Sequence, residues 1–102
     1  MNDASIIDKI RHWGYARKII GPLRECTFEQ QKLKLQEECT ELIEACDLPA
    51  RMDAIGDITV VLVLMADMLG VTFEDCLEAA YNEIRDRRGE IVNGVFVKEG
   101  AQ

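Results

Sequence analysis

The sequence predicts an all-α domain: four helices in a four-helix-bundle-like arrangement, with a short β-hairpin appended at the C-terminus. Three observations carry this. Start and stop signals divide the chain into four periodic segments. Only 2 of 102 residues are Pro and only 6% are aromatic, which favours helices over a strand-rich fold. Near the end, a single Asn-Gly step separates two apolar runs, the strongest short-range hairpin signal. With 48% hydrophobic and 30% charged residues, the composition is globular, and residues 1–102 are expected to form one domain. A core built from so few residues is thin.

The first helix is expected over 4–20, because Pro22 cannot continue the hydrogen-bond ladder and Gly21 tolerates the turn. The second opens at Thr27, whose hydroxyl can cap while Gln30 reaches back, and is expected over 27–46. Asp47 and Pro49 introduce the third, expected over 49–69 and closed by Gly70. Thr72 and Asp75 start the fourth, expected over 73–88 with Gly89 as its stop. Residues 90–97 then read as two short strands around Asn93-Gly94, where both turn residues can take positive φ.

Within the third helix only Thr59 is polar from Ile58 to Ala66. A helix apolar all round must be covered on every side, and three neighbours in so short a chain hardly suffice. A homodimer or homotetramer is the expected solution. The run is bracketed by Asp57 and Asp67 and falls far short of the roughly 20 residues a bilayer requires, so no membrane partner is expected. The N-terminus, MNDASIIDKIRHWG, has an early acid and no apolar stretch of the kind a secretion signal carries. Cys26, Cys39, Cys46 and Cys76 form no CxxC pair and lie far in sequence from His12, which disfavours zinc. Cys39 and Cys46, seven apart on an apolar stripe, are read as reduced core thiols. A cytoplasmic location follows as the expectation. The net charge of −7 argues against a nucleic-acid polymer as partner, since such binders neutralise phosphates with clustered Lys and Arg.

At 100° per residue, Leu35, Cys39, Leu42 and Cys46 form the core stripe of the second helix. Glu38 and Glu41 flank it beside Gln31 and Lys34, while Glu37 and Glu44 point nearly opposite. On the third helix Asp53 and Asp57 share a stripe with Val60, Leu64 and Asp67. Carboxylates beside apolar surface are costly unless paired, and like charges repel. A hard divalent cation resolves both problems, because Mg²⁺ takes oxygen ligands and keeps places for substrate phosphates. An isolated EExxE is more often an ordinary solvated face. Here a second acidic cluster and the cationic group Asn82, Arg85, Arg87 and Arg88 follow it.

The stretch from Lys34 to Leu42, then Ile55-Gly56-Asp57 and a long apolar helix, resembles the MazG branch of the all-α nucleoside triphosphate pyrophosphatases. The resemblance spans roughly residues 28–98 and includes Tyr81-Asn82, Arg87-Arg88-Gly89 and Asn93-Gly94-Val95-Phe96. It implies a Mg²⁺-dependent enzyme, with Mn²⁺ as an alternative ion, that splits nucleoside triphosphates to monophosphate and pyrophosphate in nucleotide-pool house-cleaning. The family pattern, EExxE followed by ExxD, maps onto Glu37, Glu38, Glu41 and Asp57; the glutamate of ExxD falls on Ala54, with Asp53 one residue earlier. The resemblance thus implies Glu38, Glu41 and Asp57 as metal ligands and Glu37 or Glu38 as the base that deprotonates water, while Asp53, one turn before Asp57 on the same face, is the candidate substitute as a further ligand or as an acceptor beside the ligands. It also implies that Asn82 and Arg85 contact phosphate or sugar, with an ordinary solvated helix face as the alternative; Lys34, Arg85, Arg87, Arg88 and Lys98 are the cations available to the leaving pyrophosphate. Trp13 and Tyr15 are candidates to stack on the base, although a lone Trp in a first helix more often packs in a core or an interface. Two other functions remain open at this point. The same scaffold serves enzymes acting on phosphoribosyl-ATP or dUTP, and a non-catalytic acidic interaction module would also carry these acids.

Overall fold

The computed structural model describes residues 5–100 and contains four α-helices and one antiparallel hairpin: α1 (Ile6–Ala16), α2 (Phe28–Glu44), α3 (Leu48–Met68), α4 (Phe73–Ile84), β1 (Gly89–Val92) and β2 (Val95–Lys98). The local signals that open the helices are all in use. Thr27 accepts from the Gln30 amide while the Gln30 side chain accepts from Thr27, and Thr72 and Asp75 form the same reciprocal cap. Asp47 accepts from the Ala50 amide, and Pro49 lies in the first turn of α3. Asn93 and Gly94 both have positive φ, 52° and 79°, which sets the hairpin register at Ile91 opposite Phe96 and Val92 opposite Val95.

Helix ends depart from the sequence expectation. The expected start at Ala4 lies outside the described residues; Ser5 caps α1 by accepting from Asp8. Helix α1 stops at Ala16 rather than Ile20. Lys18 takes the left-handed conformation at φ 62°, its amide donates to Tyr15, and Ile19 donates to Gly14 at 2.9 Å, the paired bonds of a Schellman turn. The turn folds Ile20 back until it is 2% exposed. Helix α2 ends two residues before Cys46, where Ala45 turns extended and accepts from Arg51 Nε. Helix α4 ends at Ile84, four residues short of Arg88, because the Arg88 carbonyl is taken by the Glu99 amide at 2.7 Å and joins the hairpin.

Helix α3 is the hub. Among the described residues α1, α2 and α4 each pack against α3; α1 and α4 meet through the Arg11–Glu74 ion pair, and the hairpin packs against no helix. The bundle expected from the sequence is therefore open in the single chain. Its core is the C-terminal half of α3, where Val61, Val63, Leu64, Met65 and Ala66 are buried with Ile20. Gly14 lets α1 approach closely, since a Cβ there would lie 2.5 Å from Leu64 Cδ2. The radius of gyration is 16.4 Å, against about 13 Å for a compact domain of this length.

The stripe assigned to α2 also needs correction. Leu35, Cys39 and Leu42 are half-buried, Cys46 is exposed, and the residue buried on α2 is Glu38. Cys46 is therefore not a core thiol: α2 has ended before it, and its Sγ lies 3.3 Å from the Glu44 carbonyl. Among the described residues no single helix is long and apolar enough to cross a membrane.

Candidate metal centre

The seam between α2 and the first half of α3 holds the acids. Glu38, at 4% exposure, is the only buried charged side chain among the described residues. Its Oε1 accepts from Lys34 Nζ at 3.1 Å, one helical turn earlier, while its Oε2 is buried without any partner. An unpartnered buried carboxylate oxygen is costly in a folded protein. Glu37, Glu38 and Glu41 each place a carboxylate oxygen within 4.8 Å of the others. Glu37 was expected to point away from the core; it remains exposed, yet its flexible side chain reaches back to Lys34 at 3.6 Å and joins this group.

The electrostatics show too little positive charge. The Glu41 carboxyl is pushed above its ordinary value of 4.5, first by the neighbouring Glu38 carboxylate. Asp57 on α3 is pushed above 3.8, first by burial and then by the charges of Asp53 and Glu38. Lys34 opposes both shifts and is itself held above its usual value by Glu38 and Glu37. One ammonium thus serves Glu37, Glu38, Glu41 and Asp57. The residues fit a hard divalent cation, because that ion would take the orphaned Oε2 and relieve the repulsion that raises Glu41 and Asp57.

Of the expected ligands on α3, Asp57 is not among the acids whose oxygens meet within 4.8 Å, and neither is Asp53. Asp53 is exposed and lines a groove of about 250 Å³ with Glu41, Glu44, Ala45, Ala50 and Ala54. Ala54 itself is 3% exposed. The position onto which the second glutamate of the resembled pattern would fall is therefore buried, and in this chain it offers a methyl group instead of a ligand.

Trp13 and Tyr15 part company. Trp13 lines an apolar depression of about 380 Å³ together with Lys9, Ile10, Asp57 and Val60, which brings an aromatic ring to the edge of the acidic seam. The Arg17 guanidinium lies 4.7 Å from the ring centroid and covers one face. Tyr15 packs over the Gly21 turn instead and lines a separate groove with Arg11, His12 and Asp67. The shared role expected for the two aromatics is not what the fold gives, because the residues lie two positions apart on a helix and so face different sides. That Lys9 and Arg17 flank Trp13 was not legible in the sequence, since neither belongs to a motif.

Apart from Lys34, the expected phosphate-binding residues lie elsewhere. Asn82 and Arg85 are exposed on and just beyond α4, which does not touch α2. Arg85 pairs with Asp86 at 3.6 Å and Arg87 with Glu83 at 3.2 Å. Arg88 and Lys98 do come together, in an open groove at the base of the hairpin that also contains Glu90 and Glu99. Within one chain the acids and most of the cations thus form two separate groups. Comparison with protein-family models, with characterised proteins and with solved structures finds no match for this chain.

Proposed function

We propose that this chain is a Mg²⁺-dependent nucleoside triphosphate pyrophosphohydrolase with a MazG-like fold, cytoplasmic and homo-oligomeric. It would release a nucleoside monophosphate and pyrophosphate as a house-cleaning enzyme of nucleotide pools. The observation that carries this is Glu38: a buried carboxylate with one oxygen unpartnered, beside Glu37 and Glu41 and against the raised acid Asp57. A purely solvated acidic face would keep Glu38 in water, so this burial weighs against a non-catalytic interaction module.

Glu38, Glu41 and Asp57 would hold the ion, with Asp53 at the groove mouth as a further acceptor. Mg²⁺, or Mn²⁺ in its place, would supply charge neutralisation at the triphosphate oxygens and make a nearby water more acidic. Glu37, exposed and within the same acidic group, would take the proton from that water. Lys34 holds Glu37 and Glu38 in position and presents its ammonium to incoming phosphate. The open face of Trp13, beside Asp57, offers a stacking surface for the base. Phosphoribosyl-ATP and dUTP would meet the same chemistry, and the substrate panel below separates them.

The test is incubation of the purified protein with ribo- and deoxynucleoside triphosphates, dUTP and phosphoribosyl-ATP, with Mg²⁺ or EDTA, identifying the products. Pyrophosphate rather than orthophosphate should appear, and only with the metal. Glu38→Gln and Asp57→Asn should each lower the rate by about 100-fold or more. Unchanged rates in both variants would remove the assigned site. No turnover of any substrate by the wild type would leave the interaction module as the better account.

A further inference from the structure

Two apolar surfaces of this chain are left uncovered, and they match each other. The first is the arm made of α4 and the hairpin. No residue of α4 is buried, and its stripe Leu77, Tyr81 and Ile84, spaced as one helical face, is 52%, 61% and 52% exposed. The hairpin is apolar on both faces, with Ile91 and Phe96 paired on one side and Val92 and Val95 on the other, all exposed. A two-stranded ribbon is marginal in water without cover, and no helix of its own chain provides any. The second surface lies at the α2–α3 end, where Leu48, Met52 and Ile55 have the same spacing and are 69%, 64% and 56% exposed, beside Ile43 at 83%.

Area and charge indicate what covers them. The chain exposes 7982 Å², whereas a compact folded monomer of 11.5 kDa exposes about 5,800 Å². The excess of about 2,200 Å² is more than twice the roughly 800 Å² that each partner gives to a standard interface. From Glu37 to Asp57 there are seven carboxylates against Arg51 alone, and Arg51 donates to the Ala45 carbonyl. The arm as a whole, residues 73–98, carries six acids and four cations; the cations Arg85, Arg87, Arg88 and Lys98 all lie at its hairpin end, where from Arg85 onward Asp86 and Glu90 oppose them, and Arg87 pairs with Glu83. The arm cannot reach its own acidic end, because α4 leaves α3 at about 100° and does not touch α2.

We propose that the α4–hairpin arm of one chain packs across the α2–α3 end of a second copy, and that the second copy's arm does the same in return. Two unlike patches exchanged reciprocally close a two-fold dimer and leave neither patch free. Apolar stripe meets apolar stripe, and the arm's cations come to the acid-rich side of the other chain. This interface depends on the self-association proposed above but not on the pyrophosphohydrolase chemistry.

Sedimentation of the full chain and of Leu77→Asp and Met52→Asp tests it. Both positions are exposed in the single chain, so helical circular dichroism should be kept. The wild type should sediment at twice 11.5 kDa or more, and each variant at half the wild-type mass or less. An equimolar mixture of the two variants should recover part of the dimer, since one good arm then meets one good end. A monomeric wild type overturns the proposal. So does dissociation by only one variant, which would mean arm on arm or end on end, and so does dissociation by neither. If a variant loses its helical signal, amide exchange in the wild type decides instead: residues 89–98 should exchange faster on dilution, and exchange independent of concentration overturns the interface.

Discussion

Two clusters in this molecule are built from nearly the same parts and behave in opposite ways. At one end Arg11 joins α1 to the start of α4: it donates to both oxygens of Glu74, at 2.8 and 3.0 Å, and to Asp8. Both carboxyls are held below their ordinary values, chiefly by the hydrogen bonds from Arg11, and Arg11 is held above its own. At the other end Lys34 meets Glu37 and Glu38, with Glu41 and Asp57 close by, and there Glu41 and Asp57 are raised. The difference lies in stoichiometry and burial. One forked guanidinium satisfies two exposed acids, whereas one ammonium cannot satisfy four, one of which is buried. The first cluster is complete as it stands and acts as a clamp. The second lacks positive charge, which is why a divalent cation is proposed there and not beside Asp8.

The largest effect that would sharpen this contrast is metal-dependent stability. Mg²⁺ at about 100 times its Kd should stabilise the wild type by about 2.7 kcal/mol, and Glu38→Gln should lose most of that gain. Asp8→Asn should keep it. Thermal denaturation with and without the ion reads all three, and equal stabilisation of all proteins would mean that the ion binds elsewhere. A smaller effect is expected from Arg11→Met, which should lower Tm by a few degrees, since its partners are almost half exposed and water can replace much of the interaction. Its response to Mg²⁺ should match that of the wild type, and a lost response would show the two clusters to be coupled.

The smallest effect is the pH profile of the metal-free protein. Glu41 and Asp57 bind protons more tightly when folded, so their contribution to stability increases as pH falls through the raised values and is complete below 4.5 and 3.8. Asp8 and Glu74 work the other way: their contribution is present above 3.8 and 4.5 and is lost as pH falls through their lowered folded values. Melting temperature should therefore rise on mild acidification and fall on stronger acidification. Mg²⁺ should flatten the rise, because the ion competes with the protons. A profile that declines steadily from neutral pH would show that the seam is not short of positive charge.

The sequence by itself determined the features that depend on neighbours within a few positions. Thr27, Asp47 and Thr72 cap the helices they were expected to open, and Asn93-Gly94 turns the hairpin. The acids of the seam were legible too, as residue types at one-turn spacing. Only the tertiary structure decided which acid is buried. Glu38, expected to flank the core stripe, is the one that α3 covers, and Glu37, expected to point away, bends back to join it. Tertiary structure likewise decided that α1 stops at Ala16, where Gly14 seats the helix on Leu64 and Ile20 folds into the core. It also decided that Trp13 faces Asp57 while Tyr15 does not, and that α4 stays clear of α2. A cap or a tight turn is settled by hydrogen bonds between residues three or four apart. Burial is settled by which distant helix lies across a given side chain, and helical spacing alone does not specify that helix.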